Sequence, residues 1–251
     1  DYSNNRIVKW APGATEGVYI IGVNYPWGVH VDASDNIYVS SHNNHTVYKY
    51  TYSDGSYTQT TVAGGNGRGT ELDKLDYPTG IHVDDSGNVY VADVNNHRIV
   101  KWVVDATTGV EVAGGNGYGS ALNQLYNPYG LTVDALENVY VADYNNSRIV
   151  KWAPNAIEGV IMYNSFYPFD LEFDSDGNLY SADYNNHLIK KFLPGSTSGS
   201  VIAGGGYGSG SDQFHYPNAI ALDGSGHVYV ADTQNHRIQK IKINPEITIT
   251  A

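Results

Sequence analysis

The sequence contains no cysteine, and only one methionine, among its 251 residues. The absence of cysteine excludes disulfide bonds, thiolate metal sites and a cysteine nucleophile. The chain also lacks an apolar run long enough to cross a membrane, so no membrane span is expected. Residues 1–20 have neither the basic start nor the apolar centre of a signal peptide.

Basic side chains are scarce as well. The chain has 14 Lys and Arg against 26 Asp and Glu, a formal net charge of −12. Nucleic-acid binding draws much of its affinity from basic side chains that contact phosphates. Most of the basic residues recur at fixed places of a repeat, which indicates a structural use. Nucleic acid is therefore not an expected partner, although a local basic patch would permit it.

Glycine and tyrosine are abundant, with 28 and 22 copies. Glycine serves tight turns, and tyrosine is enriched in strands. No segment shows the hydrophobic period of a helix. The composition therefore favours an all-β protein with many short strands.

A repeat organises the whole chain. The segment Arg98-Ile-Val-Lys-Trp102 returns in related form at five other places, which start at Arg6, Thr46, Arg148, Leu188 and Arg237. Every copy has Lys in fourth place. Each full repeat offers four β candidates, which in the clearest copy are residues 80–83, 89–92, 98–103 and 110–113.

Four strands per unit in about six units predict a β-propeller, because each small sheet can bury its faces only against its neighbours. We predict a six-bladed β-propeller of four-stranded blades, with an incomplete first blade, in a single domain of residues 1–251. The predicted units are residues 1–24 (partial), 25–76, 77–126, 127–166, 167–215 and 216–251.

The repeat resembles the NHL repeat, which is named for Asn, His and Leu. Its units read Tyr-Pro-x-Gly, an apolar strand, Asn-Val-Tyr-Val-Ala-Asp and then Asn-His-Arg-Ile. The triplet stands at Asn96-His97-Arg98, Asn186-His187-Leu188 and Asn235-His236-Arg237, and the pattern departs from it at Thr46 and Ser147. The resemblance implies a propeller and leaves the function open, because propellers host many unrelated functions.

The first unit starts at the end of a second strand, so its first two strands are missing. Residues 247–250 are a possible fourth strand of the last unit and do not replace them. We therefore expect the chain to be one part of a larger protein. Residues 243–251 resemble the lead-in to a following β domain on a bacterial surface protein, which predicts an extracellular or cell-surface location.

The predicted binding residues lie at two places of the repeat that vary while the rest is kept. One is the residue after Pro, and the other begins the loop between the second and third strands. The residue after Pro ends the loop that leads from a fourth strand to the next first strand. This loop and the loop between the second and third strands are expected on the same face, at the mouth of the propeller channel. Aromatic rings there suit contact with glycans or peptides. The predicted ligand-binding residues are Trp27, His42, Tyr129, Tyr144, Phe169 and Tyr184. The alternative is that Trp27, Tyr129 and Phe169 plug the centre of the ring.

A metal site is the less favoured hypothesis. His30, His82 and Glu172 occupy equivalent positions on the first strands of three units, so they are expected on the same side of those strands. Two His with a carboxylate can bind Zn or Fe. The alternative is a set of separate hydrogen-bonded side chains in a wet channel. The repeated histidines, which are His45, His97, His187 and His236, are expected to bond the neighbouring loop instead of a metal. We predict no cofactor and assign no catalytic residue.

Two classes of enzyme have a fold that is similar to this repeat. Peptide-amidating lyases have metal-binding His directly after Pro, whereas the places here hold Trp27, Thr79, Tyr129, Phe169 and Asn218. Lactonase-type relatives bind Ca²⁺ with channel carboxylates and amides, for which only Asp170, Glu172 and Asn218 could serve. The favoured function is a non-catalytic module that binds protein or glycan. The alternatives are a channel-metal hydrolase or lyase and an RNA-binding module.

Overall fold

The structure, a computed structural model, describes residues 1–243. The chain divides into two compact units, the first spanning Asp1–Tyr118 and the second starting at Gly119. Residues 1–243 contain strands and 3₁₀ turns of three residues and no α-helix, so the all-β prediction is confirmed. No helix in this range is long and apolar enough to cross a membrane.

The first unit consists of three antiparallel sheets. The first sheet pairs only β1 (Arg6–Lys9) with β2 (Val18–Gly22). The next is a meander of β3 (Pro26–Val31), β4 (Ile37–Ser41), β5 (Thr46–Ser53) and β6 (Ser56–Gly64). The third is a meander of β7 (Pro78–Val83), β8 (Val89–Asp93), β9 (Arg98–Trp102) and β10 (Val110–Gly114).

The described part of the second unit also holds three antiparallel sheets. One is formed by β11 (Pro128–Val133), β12 (Val139–Asp143), β13 (Arg148–Trp152) and β14 (Val160–Asn164). The next is formed by β15 (Pro168–Phe173), β16 (Leu179–Asp183), β17 (Leu188–Phe192) and β18 (Ser200–Ala203). The last has three strands, β19 (Pro217–Leu222), β20 (His227–Asp232) and β21 (Arg237–Lys242).

The prediction of six blades is wrong. Residues 1–243 form four four-stranded sheets, one three-stranded sheet and one two-stranded sheet, which amounts to five blades and a pair of strands. All six Lys-bearing segments are strands, as predicted. The sequence pattern of one strand does not establish a complete blade, however, because a blade also requires the neighbouring strands of its sheet. The predicted strand at residues 247–250 lies outside the described residues.

The glycine of Tyr-Pro-x-Gly is required where neighbouring first strands approach each other. A Cβ atom at Gly28 would lie 2.5 Å from the carbonyl oxygen of Thr79, and one at Gly130 would lie 2.6 Å from that of Phe169. Both distances are far below van der Waals contact, so a side chain would push the strands apart. The next repeat has Asp170 at this place, and its carboxylate accepts a hydrogen bond from the N–H of Ile220 at 2.9 Å.

An arginine at the start of the third strand holds the Gly-rich loop that precedes its sheet. The Nε of Arg98 donates to Asp93 at 2.8 Å, and its Nη1 donates to the carbonyl of Thr70 at 2.8 Å. Arg148 and Arg237 repeat this arrangement. The repeat that has Leu188 lacks the loop, and there Lys190 pairs with Asp183 at 2.8 Å. Among the sheets from β3 onwards, the Gly-rich loop and the arginine that begins the third strand thus occur together.

Candidate functional site

Five side chains of the second unit form an aromatic cluster, which consists of Tyr129, Tyr144, Phe169, Tyr184 and Tyr216. Four of the rings stack in succession. The ring centroids are 4.4 Å apart between Tyr129 and Phe169, 4.7 Å between Phe169 and Tyr184, and 4.7 Å between Tyr184 and Tyr216. These separations are typical of favourable offset stacking.

Tyr144 closes one side of this cluster. Its ring meets those of Tyr129 and Phe169 edge-on, each with a centroid distance of 5.4 Å, and that of Tyr184 at 6.0 Å. Its hydroxyl donates to the side-chain oxygen of Asn185 at 3.4 Å. Every ring of the cluster thus contacts at least one other ring.

The repeat positions these rings. Tyr129 and Phe169 are the second residues of β11 and β15, directly after proline. Tyr144 and Tyr184 begin the turns that follow β12 and β16. Phe169 is only 7% exposed, whereas the tyrosines are half-buried. Phe169 therefore supports the cluster from within, and the tyrosines form its accessible part.

The first unit has its own aromatic cluster, formed by Tyr2, Tyr25, Trp27, His42 and Tyr77. Trp27, which is 36% exposed, stacks on His42 with a centroid distance of 4.9 Å. Tyr2 meets Trp27 edge-on at 5.5 Å, and His42 lies 4.8 Å from Tyr77.

His42 is fixed by the backbone of the next sheet. Its Nδ1 lies 3.2 Å from the carbonyl oxygen of Pro78, so this nitrogen carries a proton and donates. Burial lowers the pKa of His42 below its ordinary value. The imidazole is therefore neutral near pH 7, and its Nε2 is the acceptor.

All six predicted ligand-binding residues lie in one of the two clusters. The structure brings Trp27 to His42, and it brings Tyr129, Tyr144, Phe169 and Tyr184 together. That they bind a ligand stays a prediction. The sequence pattern did not indicate Tyr216 and its counterparts Tyr25 and Tyr77, because the tyrosine of Tyr-Pro recurs and is not one of the places that vary.

Two pairs of ionisable side chains lie on the first strands. In the first unit, the rings of His30 and His82 are 5.6 Å apart, and burial together with His30 lowers the pKa of His82 to about 4. In the second unit, burial raises the pKa of Asp170 to about 6. Burial and the neighbouring Asp170 raise the pKa of Glu172 to about 8.

These side chains do not assemble a metal centre in the described part of the chain. Within residues 1–243, no three His, Asp or Glu side chains lie close enough together to share an ion. His30 and His82 are a pair in the first unit, and Glu172 pairs with Asp170 in the second. A transition metal in a protein site usually has at least three protein ligands.

The repeated polar residues have structural partners. The Nδ1 atoms of His45 and His187 accept hydrogen bonds from the N–H groups of Tyr77 and Tyr216, both at 3.1 Å. This confirms the predicted role for two of the four histidines. The repeated Asp accepts a backbone N–H in every case, namely at Asp93, Asp143, Asp183 and Asp232.

The fourth-place lysines are also used structurally. In five sheets the ammonium group lies 4.9–5.3 Å from the centre of a tyrosine ring on the second strand. The pairs are Lys49 with Tyr38, Lys101 with Tyr90, Lys151 with Tyr140, Lys191 with Tyr180, and Lys240 with Tyr229. Such cation–π contacts hold the charges at fixed places between strands.

The pattern of the NHL repeat matches residues 75–102, 125–152 and 214–241. These are the three repeats that combine the Gly-rich loop with Arg98, Arg148 and Arg237. No curated protein sequence matches the chain significantly.

Among solved structures, a chain of the nidogen/laminin complex matches with a TM-score of 0.72 and 20% identity, covering 91% of this chain and 81% of that one. A gluconolactonase from Xanthomonas campestris matches with a TM-score of 0.69 and 14% identity, covering 92% and 76%. A streptogramin B lyase matches with a TM-score of 0.58 and 16% identity, covering 88% and 70%. At these identities the likeness concerns the fold alone.

Proposed function

We propose that this chain, an NHL-repeat β-propeller, is a non-catalytic binding module that recognises a protein or glycan ligand through its aromatic clusters. The observation that carries the proposal is the second-unit cluster, in which four rings stack in succession and Tyr144 stands edge-on to three of them.

The cluster has the properties of a binding surface. Tyrosines contribute a large contact area at a small cost in side-chain entropy, and they are enriched at interaction hot spots. Stacking fixes the rings in advance, which lowers the entropic cost of binding. Four of the five rings, those of Tyr129, Tyr144, Phe169 and Tyr184, also stand at the places of the repeat that vary.

RNA binding has less support. The net charge is −12, and the repeated lysines lie over tyrosine rings within the sheets. Arg98 and Arg148 are buried and bonded to aspartate. Few cations therefore remain to follow a phosphate backbone.

We expect Tyr144→Ala to weaken ligand binding by about 2 kcal/mol, roughly 30-fold, because a hot-spot ring is removed. The half-buried position predicts only a small change in the unfolding midpoint. The probes are a neutral glycan array and a displayed random-peptide library, from which a ligand is selected with the wild-type protein. The affinity of that ligand for the variant is then measured by calorimetry.

Two variants serve as controls. Tyr118→Ala removes a ring that is 68% exposed and lies outside both clusters, so it should leave the affinity unchanged. Phe169→Ala removes a buried ring and should lower the unfolding midpoint. If Tyr144→Ala unfolds early and binds the selected ligand like the wild type, the cluster is packing and the proposed site is wrong.

An acid–base enzyme is the second candidate, and Glu172 is the observation that favours it. A carboxyl with a pKa of about 8 is protonated at neutral pH and can donate a proton. The test is turnover of a panel of lactones and esters with added divalent cations. Turnover that is lost in Glu172→Gln supports this candidate, and no turnover by the wild-type protein excludes it for those substrates.

A further inference from the structure

The outer strand β6 differs from the other outer strands of the sheets. It has nine residues, whereas β2, β10, β14 and β18 have four or five. It forms a long hairpin with β5 through a two-residue turn at Asp54 and Gly55, both with positive φ. In the described part of the chain, β6 pairs only with β5, so its other edge is open.

The register shows which backbone groups face this open edge. The hairpin closes on the pair Ser53–Ser56, and hydrogen-bonded and non-bonded pairs alternate from there. The non-bonded residues of β6 are therefore Tyr57, Gln59 and Thr61. Their N–H and C=O groups point away from β5 and can pair with another strand.

Along residues 56–61 the edge carries none of the features that usually prevent pairing. Residues 56–62 contain no charged side chain and no proline. The register shift of the hairpin falls at Val62, between the pairs Tyr48–Thr61 and Val47–Ala63, so residues 56–61 pair regularly with β5. Five of these seven side chains are exposed, and they are Ser, Thr and Gln. Natural edge strands are normally blunted by Lys, Pro, bulges or short length, and an uncharged stretch of this kind is typical of strands that self-associate.

We propose that the β6 edge pairs in antiparallel fashion with the β6 edge of a second copy of this chain. A two-fold axis through Gln59 sets Gln59 opposite its own copy and Tyr57 opposite Thr61. All three outward-facing residues then meet outward-facing residues, so the edge is complementary to itself. No like charges oppose each other along residues 56–62. The two four-stranded sheets become one continuous sheet.

The contact is small compared with stable protein interfaces, so the dimer is weak and reversible. Covalent trapping is therefore the appropriate test. Because the protein has no cysteine, Gln59→Cys introduces a single thiol. Directly opposed residues of a bonded antiparallel pair have Cα atoms about 5.5 Å apart, within the range that a disulfide bridges.

We expect Gln59→Cys to form a disulfide-linked dimer at least about 10-fold faster than Val201→Cys under the same mild oxidant. Val201 is 41% exposed on the short outer strand β18, so it reports random collision. Rates are divided by the reactivity of each thiol towards a small reagent. Equal normalised rates would overturn the proposal.

A second variant separates edge pairing from a reactive thiol. Adding Thr61→Pro to Gln59→Cys removes an outward N–H without touching the ladder with β5, and proline is tolerated at such edge positions. The rate should fall to that of Val201→Cys, with the circular dichroism spectrum unchanged. In sedimentation, wild-type protein should show a concentration-dependent dimer that Gln59→Pro lacks. An unchanged rate in the double variant, or no wild-type dimer, contradicts the proposal.

Discussion

Arg148→Ala is expected to lower the free energy of unfolding by about 3–5 kcal/mol, because it leaves a buried carboxylate without its charge partner. Arg148 and Asp143 are 4% and 0% exposed, and their atoms Nε and Oδ2 are 2.7 Å apart. The guanidinium also donates to the carbonyls of Ser120, Ala121 and Gln124. The substitution therefore releases the Gly-rich loop together with the ion pair. Denaturant unfolding measures the loss.

Arg6→Ala is the matched control. Arg6 and Asp1 form the same pair at 2.8 Å, but the two side chains are 46% and 33% exposed. Exposed ion pairs contribute at most about 1 kcal/mol, so the expected loss is several times smaller. Similar losses for Arg6→Ala and Arg148→Ala would show that burial of the pair does not determine its contribution.

The chain itself suggests a partial rescue. In one of the two repeats that lack arginine, Leu188 begins the third strand and Lys190, two residues later, pairs with Asp183. The equivalent double substitution, Arg148→Leu with Val150→Lys, should recover part of the stability lost in Arg148→Leu. Recovery is incomplete because lysine leaves the loop carbonyls without the donors that arginine supplied. No recovery would mean that a lysine at position 150, where Val150 is fully buried, does not replace the arginine.

Raising the pH from 6.5 to 8 is expected to reduce the stability of the wild-type protein through Glu172. Its pKa is raised to about 8 in the folded protein, so the folded state holds a proton that the unfolded state has released. Stability linked to a raised pKa is present below the unfolded pKa and is lost as the pH rises towards the folded one. The slope is at most about 1.4 kcal/mol per pH unit, which corresponds to about 2 kcal/mol over this range.

Glu172→Gln isolates this effect. The amide does not titrate, so the variant should lose the decline with pH and should be more stable than the wild type at pH 8. The range above pH 6.5 avoids His82, whose pKa is lowered to about 4 and whose contribution therefore changes below that pH. Denaturant midpoints of both proteins at pH 6.5 and 8 provide the measurement. Parallel pH profiles would show that Glu172 is ionised in the folded protein at pH 6.5.

Much of the fold follows from local pattern. The alternation of Val, Ile and Tyr, together with turns such as residues 84–88, predicts strands that the structure contains. The aspartate that ends the second strand accepts a backbone N–H at Asp93 and at its three counterparts. These features depend on contacts within one repeat and its adjoining loop, so they can be read from the repeat itself.

The candidate site was predicted less completely. The varying positions predicted Tyr144, Tyr184 and Phe169 on one face, and the structure places the rings of Tyr144 and Tyr184 against that of Phe169. They did not show that Phe169 is buried or that Tyr216 continues the stack. Ring orientation and exposure depend on side chains of adjacent sheets, which lie about one repeat apart in the sequence.

The sequence by itself determined the all-β class, the repeat, the six Lys-bearing strands and the hydrogen-bonding role of His45 and His187. Only the tertiary structure decided how many sheets are complete, which rings meet, that β6 pairs only with β5 among the described residues, and that burial and the neighbouring Asp170 raise the pKa of Glu172. The physical reason is the range of the interactions. Strand period and turn chemistry act over a few residues, whereas burial, ring stacking and pKa values depend on which sheets pack against each other.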